Sequence, residues 1–405
     1  MLYVWFGTFL LHNLSRVLPI YPALVAAAAV GALLAGLRRE QARDVAILVM
    51  AAWAMTAYVI VVDVSVEGAL PSFANVVRLL TPAVALTILL LNGIDEDALR
   101  RLSSVYVFVV ALAALSMVYQ VINGPIEWFA EASERAGVQR YASLLGSLTV
   151  LGTAAPIGLL AAAMYVRRPV PFIVLAVLIF AAGLMSLQKS AIAGFIVLVP
   201  FVLPLIERGT RIRLGLTLAG LAALTVAIVP AELLEYAGVG WDYLLSAGTG
   251  GGSDVGLSQS VVDRLTALPR EVVQYHGLDR MLFGVGLRGG SGVFGFPDLP
   301  MAHNGIVDYL AIGGLPYLAY GLLLLGMMFR GAYRVVRWRA HIEDGPRVAL
   351  FVAGLAVLYA ANVPFASGLG FHPAFSWIPP LVISYAYSVR ARSMDDLPLV
   401  AQANS

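Results

Sequence analysis

Residues 102–122 read LSSVYVFVVALAALSMVYQVI, and the chain runs on to Ile126 before the next charged residue at Glu127. A stretch of about 20 apolar residues spans the hydrocarbon core of a bilayer as a helix. The same pattern recurs at 17–37, 45–62, 141–166, 169–188, 214–231 and 348–365, none of which contains a charge. Across 405 residues, 60% are apolar and 12% charged, against about 25% charged in soluble domains. These figures exclude a soluble globular protein and predict an all-α polytopic membrane protein.

The arginines orient the spans, because cytoplasmic loops retain positive charge. Arg38/Arg39/Arg43, Arg100/Arg101, Arg167/Arg168, Arg208/Arg211/Arg213, Arg330 to Arg347 and Arg390/Arg392 form one set, and the intervening connections are poorer in charge. One consistent solution has twelve crossings, roughly 2–15, 17–37, 45–63, 73–92, 102–122, 141–166, 169–187, 190–206, 214–231, 304–329, 348–365 and 374–389. Both termini then face the cytoplasm, and residues 1–405 form a single integral-membrane domain. The first crossing is short and holds His12, so a half-helix or an uncleaved anchor is the alternative there. No basic region precedes it, and no cleaved signal peptide is read.

Two outer connections carry the polar residues. Residues 123–140 place Trp128 and Phe129 where aromatics favour the lipid–water boundary. Residues 232–303 form a long periplasmic loop between spans nine and ten. Long loops without a domain of their own are functional or disordered. This one opens on a Gly-rich stretch at 248–256, which reads as mobile. It continues through a segment of helical character, Ser258 to Tyr275, with Val261, Leu265 and Leu268 on one face. It closes with FGVGLRGGSGVFGFPDLP before His303-Asn304. The glycines there match no P-loop or dinucleotide fingerprint. Cysteine is absent, which excludes disulfides and thiolate sites, and no histidine pair has metal-ligand spacing. No metal, cofactor or nucleic-acid partner is expected. Lys189 is the only lysine, so a preference for Arg at any position says nothing about phosphate.

His303-Asn304, followed after nine residues by Gly314-Leu315-Pro316-Tyr317, resembles the signature of bacterial O-antigen ligases and pilin-type oligosaccharyltransferases. The preceding LFGVGL at 282–287 is similar to a stretch that leads into that signature in the same superfamily, which also holds O-antigen polymerases. Arg264 resembles the family's Arg in the long outer loop, and Arg140, in RYASLLGS, the Arg heading an earlier helix. SLQKS, 186–190, stands where the family often has a Ser-Arg turn, with Lys189 in place of Arg. The resemblance carries motifs over 135–330 and only topology elsewhere. It implies a glycosyltransferase-C-like fold in the bacterial inner membrane. It also implies metal-independent transfer of a glycan from undecaprenyl pyrophosphate on the periplasmic side, to lipid A–core or another glycan acceptor.

The residues make chemical sense for that reaction. Arg140 and Arg264 would stabilise the charge developing on the pyrophosphate through forked hydrogen bonds. His303 would accept the proton of the acceptor hydroxyl, and direct displacement would invert the anomeric centre. His303 is expected to cap span ten, whose first N–H groups and positive dipole end face the same site. Gly314 would lie about 16 Å along that helix, serving close helix contact rather than substrate. Arg78, Asn304, Asp308, Arg288 and Lys189 are the further candidates for substrate binding. Arg78 is included because a charge inside a span faces the bundle interior or a cavity, and Asp308 because it could orient His303 or bind acceptor. As plain structure, His303 would be a solvated cap, Arg264 would pair with a loop carboxylate and Arg140 would snorkel.

Ligation of O-antigen is the leading reading. A polymerase of the same superfamily, extending the lipid-linked chain, is the nearest alternative. A protein glycosyltransferase fits less well, since those carry a further soluble domain. A transporter would require inverted repeats and broken helices at the midplane, and neither is read.

Overall fold

The computed structural model describes residues 6–7, 10–11, 43–129, 132–135, 138–186, 188–217, 263–294, 296, 298–366 and 369–395. The expected spans at 2–15, 17–37 and 214–231 lie wholly or mostly outside these residues, as does the Gly-rich stretch at 248–256. The protein is mostly helical. Among the described residues, five helices are long and apolar enough to cross a membrane. They are α1 (Arg43–Glu67, apolar from Val45), α2 (Phe73–Asn92), α3 (Glu96–Asn123), α10 (Gly305–Arg337) and α11 (Gly345–Asn362, continued by a 3-10 turn). Large apolar side chains stand exposed along them, among them Met50, Val61, Phe108, Ile122, Leu322 and Tyr333. Water would penalise such a surface and lipid would not, so the chain is a membrane-embedded protein.

Contacts divide the chain into two compact units, residues 1–21 with 101–263 and residues 22–100 with 264–405. In the first, most of α3 accompanies a two-stranded antiparallel hairpin of β1 (Ser133–Arg135) and β2 (Val138–Arg140). Three shorter apolar helices follow, α4 (Val150–Tyr165), α5 (Pro169–Met185) and α6 (Lys189–Leu205). The expected span at 141–166 is corrected here, because residues 141–149 form turns with a bridge between Ser143 and Gly146. The cause is polar. Buried Gln120 of α3 donates to Ala142 O (2.8 Å) and accepts from Ile126 N (3.3 Å), while Ser116 Oγ accepts from Leu144 N (3.3 Å). These bonds satisfy backbone groups that helix would otherwise satisfy.

In the second unit α10 is the hub, packing on α1, α11 and α12 (Ile378–Asp395). Its outer partners are α7 (Ala267–His276), α8 (Leu278–Phe283), a 3-10 turn (Gly286–Gly290) and α9 (Ser291–Phe294). Leu79 and Leu86 of α2, Val59 of α1, Ile312 of α10 and Ile383 of α12 share one core. Trp53 Nε1 donates to Thr87 Oγ1 (2.9 Å), and Ser384 Oγ donates to Leu89 O (2.8 Å), fixing α1 and α12 against α2. The expected helical face of Val261, Leu265 and Leu268 is also corrected. Val261 is outside the described residues, Leu265 is exposed, and α7 buries Val272 instead.

Candidate functional site

The start of α10 gathers four of the sequence-predicted residues. Asn304, not His303, is the cap: its Oδ1 accepts from Ile306 N (3.0 Å) and Val307 N (3.4 Å), satisfying N–H groups the helix leaves open. The same amide's Nδ2 donates to Arg264 O (3.3 Å), forty positions earlier in the chain. Arg264 Nη1 in turn donates to Phe365 O, just after α11. Arg264 is therefore built into the junction of α10 and α11 through both backbone and side chain. His303 lies one residue before the cap at φ +48°, a left-handed conformation uncommon outside glycine. Such backbone costs on the order of 1–3 kcal/mol and persists where its surroundings fix it. Asp308, one turn into α10, is buried and lines a small cavity with Gly305, Tyr309 and Tyr359.

The FGVGLRGG segment packs beside this start rather than forming a cradle. Gly286, at φ +72°, brings the backbone against α1, where an added Cβ would fall 2.5 Å from Asp63 Oδ1. Leu287 N donates to that carboxylate oxygen at 2.7 Å, and Arg288 Nε pairs with Glu67 Oε1 at 2.7 Å. Asp63 and Glu67, one turn apart, thus clamp the 3-10 turn. Their role was not foreseen, since both stood at the edge of an expected span ending at 63. The signal available was their i, i+4 spacing at the close of an apolar run. Arg288 is half-exposed and also lies over the Phe296 ring, 5.9 Å from its centroid.

The straight helix expected for span ten is broken. Gly313 and Gly314 leave helical geometry, Gly314 at φ +65°. Pro316 has no N–H to return to Ile312 O, and Val285 N donates to Ala311 O at 2.7 Å. The eleven-residue measure from His303 to Gly314 along one helix therefore does not hold. Gly314 meets the Leu282 carbonyl and the Phe283 and Gly284 backbone, so a side chain there would collide with main chain.

His276, at the end of α7, has its Nε2 buried without a hydrogen-bond partner among the described residues. Burial, and secondly the nearby Arg288 cation, hold its pKa below the ordinary histidine value. Arg78 is half-buried near the start of α2. Arg140 and Lys189 belong to the first unit. Arg140 ends β2 and is buried, so the expectation that it heads a helix is corrected: α4 begins at Val150. Lys189 opens α6, and its side chain lies outside the described residues.

No family model and no curated protein sequence matches the chain.

Proposed function

We propose that the chain transfers a glycan from a polyprenyl pyrophosphate, of the undecaprenyl type, to a sugar hydroxyl at the start of α10, with O-antigen ligation as the leading form. The supporting observation is the double use of Asn304, the residue after His303, which caps α10 and holds the backbone carbonyl of Arg264. In this reading the acceptor oxygen attacks the anomeric carbon as the bond from that carbon to the pyrophosphate oxygen breaks. The hydroxyl proton passes to His303, and the leaving pyrophosphate's charge is met by Arg264 and by the N–H groups at the helix start. The accompanying topology has twelve crossings and both termini in the cytoplasm, with residues 232–303 facing the periplasm of an inner membrane.

The test is transfer from a purified lipid-pyrophosphate glycan in liposomes. His303→Asn is the sharper variant than His303→Ala, because Asn tolerates the left-handed backbone while lacking the imidazole. It is expected to keep donor binding and to lower turnover by about 10²–10⁴, the usual share of acid–base catalysis. Near-normal transfer by a folded His303→Asn protein would reduce His303 to a backbone role. Growth of the lipid-linked chain in place of transfer to lipid A–core would select the polymerase reading.

A further inference from the structure

The path of residues 278–287 carries an inference about the loop itself. Tyr58 Oη donates to Phe283 O at 3.0 Å. Tyr58 lies four residues before Val62, where the charge-free run of α1 ends, and thirteen after Val45, about 6 Å and 20 Å from the ends of that run at 1.5 Å per residue. Phe283 is thus held about one turn inside the apolar run, while Leu287 is held at Asp63, five residues nearer the end of α1. The incoming helix α8 packs on α10, and the outgoing 3-10 turn packs on α1.

Two lipid-type faces border Phe283. On α1, Ile47, Met50, Ala54, Ala57 and Val61 are exposed on one stripe, next to Tyr58. On α10, Leu315, Ala319 and Leu322 form another beyond the break, and Gly314 touches the Phe283 backbone. Phe283 itself is 76% exposed, and Leu315 is 53%. Non-helical backbone at membrane depth is tolerated only when its polar groups are satisfied by protein or by a water-filled cavity. Here Tyr58 Oη satisfies Phe283 O. Val285 N uses Ala311 O, which the helix break releases, Gly284 N returns to Met281 O (3.2 Å), and Leu287 N uses Asp63. Protein groups thus satisfy these four backbone groups of the segment.

We propose that residues 278–287 are a re-entrant segment that seats the Phe283 ring in the acyl hydrocarbon of the bilayer, between α1 and α10. This rests on α1 and α10 crossing the membrane and not on the glycan-transfer reading. The loop read from sequence as wholly external then has one fixed point below the surface, from which its path rises to the Asp63–Glu67 clamp.

The cysteine-free chain allows a direct test by spin labelling at single cysteines in liposomes, comparing collision with oxygen, which concentrates in hydrocarbon, and with a water-soluble nickel chelate. Phe283→Cys is expected to give an oxygen-to-nickel ratio close to that of Leu322→Cys and several-fold above that of Gln274→Cys on exposed α7. A ratio equal to that at Gln274 would overturn the proposal, and so would a label at 283 shielded from both reagents, since that places it inside protein. Should Phe283→Cys not fold, Leu315→Cys reads the same face, and a water-like ratio there would equally overturn it. Transfer activity plays no part in this readout, so its outcome is separable from that of the transfer assay.

Discussion

At the scale of single residues, the second unit depends on a few close approaches between backbone and carboxylate. Gly286 has φ +72° and no room for a methyl beside Asp63. Gly286→Ala is expected to destabilise by more than the roughly 1 kcal/mol that a glycine substitution gains or loses at unstrained positions. Thermal unfolding in detergent would measure it, and an unchanged midpoint would show that the clamp tolerates displacement. His276 gives a pH signature. Its pKa is lowered in the folded protein by burial and by Arg288, so the neutral form is preferred there. The unfolded chain binds the proton first as pH falls, and stability should decline below the ordinary histidine value of about 6.5, levelling only beneath the folded pKa. His276→Gln should flatten that part of the stability profile; a profile of unchanged slope would remove His276 as its source.

At the scale of elements, the break in α10 is the feature on which the others hang. Two glycines and Pro316 release carbonyls at the point where Val285 N can use one, and the released geometry leaves space for the 282–284 backbone. Gly314→Ala should therefore be worse than Gly286→Ala, because the three atoms nearest its methyl are all main chain, against one, Asp63 Cα, at Gly286. Tyr58→Phe is a milder probe. It leaves the Phe283 carbonyl without its hydroxyl donor in an apolar setting, with an expected cost of about 1–3 kcal/mol. The same variant in water-accessible surroundings would cost nearly nothing, so its unfolding midpoint reads the environment as well as the bond.

At the scale of the whole molecule, the arginine distribution gives a testable orientation. Gln274 and Arg339 are both exposed, and they lie toward the opposite ends of α10. An impermeant thiol reagent added to intact cells after permeabilising only the outer membrane should label Gln274→Cys and spare Arg339→Cys. The reverse pattern would invert the topology and place the His303 region in the cytoplasm. Twelve crossings also require the spans read at 17–37 and 214–231, and cysteines flanking each should label from opposite sides.

Sequence alone determined the membrane class, because a charge-free run of twenty residues is a local property whose partition into lipid needs no knowledge of neighbours. It also marked α2, α3 and α11 within a few residues, and it singled out the His303-Asn304 pair, Arg264 and Asp308, which lie together around the start of α10. It missed the assignment of the cap to Asn304 and the ten-residue delay between Arg140 and α4. Both turn on which hydrogen-bond partner a backbone group finds, and Gln120 and Ser116 supply partners from another helix. The break in α10 has a local cause in Gly313, Gly314 and Pro316 that the sequence reading passed over, whereas the Asp63–Glu67 clamp and the depth of Phe283 were decided only by tertiary structure. Each joins segments far apart in the chain, Asp63 to Leu287 and Tyr58 to Phe283. No periodicity or local propensity encodes a bond whose two ends meet only after the helices have packed.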